Sequence, residues 1–264
     1  MKTQWACMDY PENAVGRGRD CGSELGRVAP PVSADKRIIF QGQSPAGSIV
    51  QHLSTGSAPR HRVFLLSPAN ASGVRGKLLL AGNSQFILAQ RLREATVTLG
   101  EVFSFISSLY FRGKLAYAER FAAPPPGAEG VHVITPAMGL LSPRTFVDLD
   151  NLRTILSGSV DAENILYRGP LERDALKLRA AVGVDTEMVL LGSIATTKYV
   201  DPLSEIFGTR LVFPKEFVGR GDMSRGGMLL RCVRADSALT YVPVIGATKT
   251  GRRPAKLALR ERSA

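Results

Sequence analysis

The sequence is short of cysteine and histidine and has no long apolar run, and each shortage excludes a class of protein. Its 264 residues include three cysteines and three histidines. An odd number of cysteines without metal-ligand spacing favours reduced thiols over a disulfide framework. No run approaches the ~18 apolar residues of a membrane span, and the opening MKTQWACMDYPENAVGRGRD lacks the apolar core of a secretion signal. We therefore expect a cytoplasmic protein with no membrane-spanning segment.

Several well-known catalytic and binding motifs are also missing. The chain has no Walker A motif, no GxGxxG between a strand and a helix, no GxSxG elbow and no CxxC pair. No histidine falls in a loop that is a candidate for function, which disfavours a Ser–His–Asp triad and a histidine-rich metal site. We expect no metal, and the sequence leaves the cofactor and the reaction type open.

The charge and composition divide the chain into three parts. Residues 1–60 are rich in Gly, Pro and Ser, and they predict a poorly ordered extension. Residues 61–246 predict a single domain. Residues 247–264 form a basic tail, and the last twenty residues hold almost half of the net charge of +11. Such a tail attracts nucleic acid without specificity, or it is simply a solvated end of the chain.

Three short apolar runs organise the predicted domain. Val63–Leu66, Val131–Ile134 and Met188–Leu191 each end in a loop of small and polar residues, and helix-forming sequence separates them. This alternation predicts an α/β fold with a mostly parallel sheet and helices on both faces. Residues 228–234 and 238–244 predict an antiparallel hairpin at the C-terminal edge.

The loops after the three strands predict a ligand site, because the carboxyl ends of parallel strands meet at one edge of a sheet. Strand-ending serine and threonine residues are also common in turns and helix caps, so each one alone is ambiguous. Together they favour a crevice. The candidate ligand-binding residues in these loops are Ser67, Asn70, Arg75, Thr135, Ser193 and Thr196, and Lys198 follows as a candidate catalytic residue.

The segment Gly219–Gly227, GRGDMSRGG, predicts a shaped loop that reaches the same crevice. Its glycines would let the backbone approach a ligand, and its arginines would bind an anion. Asp222 is either a catalytic base or one half of a structural ion pair. The further candidate ligand-binding residues are Arg220, Ser224 and Arg225.

A helix is predicted over Leu109–Ala122, where the apolar residues recur at helical spacing and indicate a core-facing stripe. Arg112 and Lys114 lie near its start. Cations at that end of a helix oppose its dipole, so these two side chains either accompany an anion or lie in solvent.

Three stretches of the chain resemble known bacterial domains. FLLSPANASG (Phe64–Gly73), LYFRGKLAYAER (Leu109–Arg120) and VITPAMGLLSP (Val133–Pro143) resemble uncharacterised bacterial α/β domains related to nucleic-acid-modification proteins and, more remotely, the peroxide-stress YaaA family. The resemblance implies an α/β domain with a nucleic-acid or nucleobase ligand. Those relatives often carry a cysteine and lysines in the first loop, where this chain has Ser67 and Asn70, so the resemblance assigns no catalytic residue.

We therefore expect an α/β protein that binds or processes a nucleic acid or a nucleotide-like anion at the carboxyl ends of its parallel strands. Two alternatives remain open at this point. The same groups would suit a small-metabolite enzyme with an anionic substrate, or a binding module without catalysis. The sequence does not indicate the oligomeric state.

Overall fold

The computed structural model describes residues 61–252 and residue 254. The predicted extension over residues 1–60 and most of the predicted basic tail lie outside the described residues. Within the described range, no helix is both long enough and apolar enough to cross a membrane.

The described residues form eight strands and eight α-helices. The strands are β1 (His61–Leu66), β2 (Val97–Thr98), β3 (Val131–Ile134), β4 (Leu140–Leu141), β5 (Phe146–Val147), β6 (Thr186–Leu191), β7 (Leu211–Pro214) and β8 (Tyr241–Pro243). The helices are α1 (Val74–Leu80), α2 (Ile87–Arg93), α3 (Leu99–Ser107), α4 (Leu109–Phe121), α5 (Leu149–Leu156), α6 (Ile165–Val182), α7 (Thr197–Phe207) and α8 (Asp222–Ala235).

The main sheet has six strands in the order β4-β3-β1-β6-β7-β8. The four central strands are parallel to one another, and the two edge strands, β4 and β8, pair antiparallel with them. This confirms a mostly parallel sheet with an antiparallel C-terminal edge. In the central pair, Phe64 lies opposite Val189 and Leu66 lies opposite Leu191.

The core is centred on β1 and β6. Residues Val63–Leu66 and Met188–Leu191 are all fully buried, with a relative exposure of 0%. Successive side chains of a strand point to opposite faces, so both faces of these strands are covered. Continuous burial on both faces is typical of parallel strands and explains why these runs do not alternate with polar residues.

One prediction about the C-terminal edge is wrong. Residues 228–234 lie in helix α8 and not in a strand, and β8 pairs instead with β7. The apolar residues of this stretch have helical spacing: Met228 and Leu229 are buried, and Cys232 and Val233 one turn later pack against the core. The prediction of a loop over Gly219–Gly227 is also wrong from Asp222 onward, because α8 begins at that residue.

Two glycines allow α8 to lie against α4 at very close range. A Cβ atom on Gly226 would lie 2.7 Å from the carbonyl oxygen of Leu109, and one on Gly113 would lie 2.7 Å from the carbonyl oxygen of Gly226. Only glycine tolerates so short an approach between backbones. The glycines predicted to approach a ligand thus include one that serves helix packing, and this packing brings the first turn of α8 next to α4.

Candidate functional site

A cavity of about 500 Å³ lies at the carboxyl ends of β1 and β6. Its walls come from the loop after β1, the end of α3, the first turns of α4, α7 and α8, and the loops around Pro136 and Gly158. Five residues predicted from the sequence as site residues line this cavity, namely Ser67, Asn70, Ser193, Lys198 and Asp222.

Three other predicted residues from the strand-end loops do not line the cavity. The guanidinium of Arg75 donates to the carbonyl oxygen of Phe105 at 3.3 Å and lies over the ring of that residue. Thr135 is fully buried, and its hydroxyl donates to the carbonyl oxygen of Gly139 and accepts from the N–H of Met138. Thr196 is the N-cap residue of α7. Arg75 and Thr135 thus bond within the protein and Thr196 begins a helix, and a role of these three residues in ligand binding stays a prediction.

The remaining predicted residues, at the start of α8, also bond within the protein. Arg220 donates to the carbonyl oxygen of Glu216 and to the hydroxyl of Ser224. Arg225 donates twice to the carbonyl oxygen of Phe217, at 3.0 and 3.3 Å, and lies 3.6 Å from a carboxylate oxygen of Asp222. None of Arg220, Ser224 and Arg225 lines the cavity, so Asp222 is the member of this group that borders it.

Ser67 forms the part of the cavity wall nearest the sheet. It follows the last residue of β1, and both its backbone N–H and its hydroxyl donate to the carbonyl oxygen of Leu191 in β6, each at 3.2 Å. The neighbouring strand therefore holds the residue in place. Its relative exposure is only 7%, so the residue lies at the floor of the cavity and not at the rim.

Lys114 lies behind Ser67 and is buried. Its ammonium group donates to the hydroxyl of Ser67 at 2.8 Å and to the carbonyl oxygen of the same residue at 2.5 Å. The nitrogen also lies 4.5 Å from the centroid of the Tyr110 ring and 5.0 Å from that of Phe111. Among the described residues, no carboxylate forms a salt bridge with it, which is rare for a lysine with a relative exposure of 1%.

The burial of Lys114 brings the pKa of its amine close to neutral pH. Burial lowers the pKa of Lys114 from 10.5 to about 7, because removal from water disfavours the charged form. The carboxylate of Asp222 raises this pKa, whereas the guanidinium of Arg225 lowers it. At neutral pH the group therefore exists in both its neutral and its protonated form.

Two tyrosines form an aromatic side of the cavity. Tyr110 and Tyr199 have relative exposures of 7% and 5%, and both line the cavity. Among the described residues the Tyr110 hydroxyl makes no hydrogen bond of normal geometry, although the Arg225 guanidinium lies close enough to lower its pKa. Burial raises its pKa to about 12 against the opposing effect of the nearby Arg225 guanidinium. Burial also raises the pKa of Tyr199, and the carboxylate of Asp222 adds to this effect. Both phenols thus remain protonated donors at neutral pH.

Lys198 brings a second amine to the cavity. It lies in the first turn of α7, and its ammonium nitrogen lies 5.1 Å from the centroid of the Tyr199 ring. The hydroxyl of Tyr167 donates to the carbonyl oxygen of Lys198 at 2.9 Å and anchors this turn. The cation is therefore held beside the aromatic side of the cavity.

Asn70 and Ser193 shape the loops that they belong to. The side-chain oxygen of Asn70 accepts hydrogen bonds from the N–H and the hydroxyl of Ser72, and the hydroxyl of Ser193 accepts one from the N–H of Ala195. The amide nitrogen of Asn70 and the hydroxyl hydrogen of Ser193 are the donors that these contacts leave for a ligand.

Sequence reasoning missed the two residues that most affect the chemistry of the cavity, Tyr110 and Lys114. A signal for Lys114 was present, because it lies three residues after Phe111 and four before Ala118, on the stripe predicted to face the core. The solvated alternative for Lys114 is wrong, since the side chain is buried and bonded to Ser67, whereas an accompanying anion stays a prediction. Within residues 61–252, no three His, Cys, Asp or Glu side chains cluster closely enough to hold a metal ion.

Comparisons with protein-family models, with curated proteins and with solved structures found no match to this chain. The proposals that follow therefore depend on the geometry and chemistry of its own residues.

Proposed function

We propose that the protein binds a nucleotide-like anion, either a free nucleotide or one nucleotide of a nucleic-acid strand, in the cavity at the carboxyl ends of β1 and β6. The observation that supports this most directly is the combination of groups around one space: two tyrosines, one lysine and several short polar side chains. A volume of about 500 Å³ is in the range of small-ligand sites and too small for a duplex. We also propose, as the sequence predicts, that the protein is cytoplasmic and that helices cover both faces of the sheet.

Each group in the cavity has a role in this proposal. The Lys198 ammonium would pair with the phosphate, and the α7 N-terminus in which it lies adds a favourable dipole for an anion. The rings of Tyr110 and Tyr199 would contact the base. The donors of Asn70 and Ser193 and the carboxylate of Asp222 would bind the sugar or the edge of the base.

The unpartnered hydroxyl of Tyr110 supports a polar ligand in particular. A buried polar atom without a partner costs about 1–3 kcal/mol. A ligand acceptor that reaches this hydroxyl would recover that cost, whereas an apolar ligand would not. The orphan hydroxyl therefore favours a ligand with oxygen or nitrogen atoms over a lipid or hydrocarbon.

Processing of the ligand, as distinct from binding, is proposed through Asp222 and Lys198. Asp222 borders the cavity and its side chain is largely exposed, which leaves the carboxylate accessible to a substrate. A small anionic metabolite would use the same lysine and hydroxyls, so the size of the preferred ligand separates the two possibilities.

Calorimetric titration with nucleoside monophosphates, with the matching nucleosides and with inorganic phosphate tests the proposal. We expect the monophosphate to bind more tightly than either fragment. Lys198→Ala should weaken its binding by roughly tenfold, the loss of one charge-assisted contact of about 1.4 kcal/mol. Lys177→Ala is the matched control, because that lysine is 73% exposed on α6 and does not line the cavity.

The outcome also separates the ligand classes. A short single-stranded oligonucleotide that binds more tightly than the monophosphate, with an affinity that falls steeply with salt, would indicate nucleic acid. No binding of any nucleotide by the folded wild-type protein, or equal losses in the two lysine variants, would refute the proposal.

A further inference from the structure

We propose that Ser67 is a nucleophile for acyl transfer and that Lys114 accepts its proton. The substrate class rests on the function proposed above: a nucleotide-like anion that carries an acyl ester, with its anionic part near Lys198. The reactivity of Ser67 itself is a separate property of the floor of the cavity.

The geometry of the pair supports this assignment. Ser67 lines the cavity, and the Lys114 nitrogen lies 2.8 Å from its hydroxyl oxygen, within hydrogen-bond reach. A nucleophile next to a base, with the base held by further contacts, is the arrangement that activates serine. In the described part of the chain, the other serines that line the cavity, Ser72, Ser107 and Ser193, have no hydrogen bond to a lysine.

The environment of Lys114 favours a basic amine over a structural cation. A buried charge that serves stability is normally paired with a carboxylate, and the described residues provide no such pair for Lys114. The charged and titratable groups that face it are Asp222 and Arg225 from α8 and Tyr110 from α4. Its lowered pKa of about 7 leaves a neutral fraction with a free lone pair at neutral pH.

The proposed reaction has two steps. The Ser67 hydroxyl turns from the carbonyl oxygen of Leu191 toward the neutral Lys114 amine, which takes the proton as Oγ bonds to the carbonyl carbon of the ester. The carbonyl π pair moves to the carbonyl oxygen. When the tetrahedral adduct collapses, the bond to the leaving alkoxide breaks, and the Lys114 ammonium returns the proton to that alkoxide. Water then attacks the acyl-serine with Lys114 again as the base, which releases the carboxylic acid and restores Ser67.

Covalent labelling with a fluorophosphonate tests the pair without knowledge of the substrate. Ser67 Oγ would bond to phosphorus and release fluoride, and mass spectrometry of peptides would locate the adduct. We expect labelling at Ser67 that rises with pH around a midpoint near 7, and loss of the adduct in Ser67→Ala. Ser237→Ala, a change at an exposed serine outside the cavity, should label like the wild type.

The variant Lys114→Met then tests whether the Lys114 amine acts as the base for Ser67. We expect at least a hundredfold slower labelling in this variant, with thermal unfolding as the check that it is folded. If it does not fold, the wild-type pH profile decides: a midpoint near 7 supports the proposal and a flat profile refutes it. An unlabelled Ser67 in the folded wild type, or equal labelling rates in the wild type and a folded Lys114→Met protein, also refutes it.

Nucleotide titration of the same samples separates this inference from the proposed function. Wild-type protein that binds nucleotide while Ser67 stays unlabelled refutes the nucleophile alone. Labelling of Ser67 without any nucleotide binding retains the nucleophile and refutes the nucleotide site.

Discussion

Replacing Lys114 with methionine should remove a specific part of the pH dependence of stability. Methionine is unbranched and similar in length, so it fills the same space without an amine. In the wild-type protein the amine is fully buried and bonded to Ser67, and its pKa falls from 10.5 to about 7. The variant has no group at this position that titrates.

The sign of the effect follows from the proton balance of the two states. Between pH values of about 7 and 10.5, the unfolded chain holds the lysine proton and the folded protein does not. The free energy of unfolding therefore rises with pH across this window. Below it, both states are protonated and the folded state bears the full cost of a buried charge. Above it, both states are neutral and this cost is absent.

The magnitude is large enough to measure. Each pKa unit corresponds to about 1.36 kcal/mol, so the full shift is worth about 5 kcal/mol. Roughly half of this, about 2–3 kcal/mol, falls between about pH 7 and about pH 9, where the fold is accessible to denaturant titration.

Urea unfolding of both proteins at a series of pH values provides the test. The free energy of the variant is subtracted from that of the wild type at each pH, which cancels groups common to both proteins, such as Tyr117 and Cys232 with their raised pKa values. We expect the difference to grow in favour of the wild type as the pH rises. A difference that stays constant from about pH 7 to about pH 9 would show that Lys114 is not titrating in this window.

Three further predictions concern packing, the cavity and the domain limits. Gly226→Ala should lower the free energy of unfolding by about 1–3 kcal/mol, because its Cβ would meet the Leu109 carbonyl oxygen of α4. Urea unfolding measures this, and Gly221→Ala, with open space at its Cβ, should cost no more than ~1 kcal/mol; equal costs would contradict the close helix contact. Tyr110→Phe should leave stability unchanged or raise it by up to ~1 kcal/mol and weaken nucleotide binding, since it removes an unpartnered buried hydroxyl; calorimetry showing unchanged affinity would remove this hydroxyl from the site. Limited proteolysis followed by mass spectrometry should leave a fragment of about residues 61–246, because the flanking sequences carry no periodic apolar face, and a first cut inside that fragment would contradict the domain limits.

The strands could be predicted from local sequence because each buried strand is a run of consecutive apolar residues. Val63–Leu66 and Met188–Leu191 are apolar at every position, as is typical of a short strand that is covered on both faces. The same rule failed at residues 228–234. A short apolar run is compatible with either a strand or a helix face, and here close packing of α8 on α4 through Gly113 and Gly226 accompanies the helix.

The candidate site also has a part that the sequence predicts and a part that it does not. The sequence by itself determined that Ser67 and Ser193 follow buried strands, and parallel pairing of β1 with β6 then places both at one edge. Whether a side chain reaches a cavity at that edge is a tertiary property. Asp222 reaches it because α8 crosses α4, whereas Arg225 in the same turn bonds to the carbonyl oxygen of Phe217.

The pairing of Ser67 with Lys114 was decided by the tertiary structure alone. Their 47-residue separation in the chain contains three helices and a strand, and no local pattern specifies that these two side chains meet. The chemical character of the lysine was decided in the same way. Its pKa depends on the removal of water by Tyr110, Phe111 and the rest of the core, and on charges that α8 brings from more than a hundred residues away. Sequence determines which groups are present and the periodicity with which they are buried, whereas the distances that give them their chemistry exist only after the chain has folded.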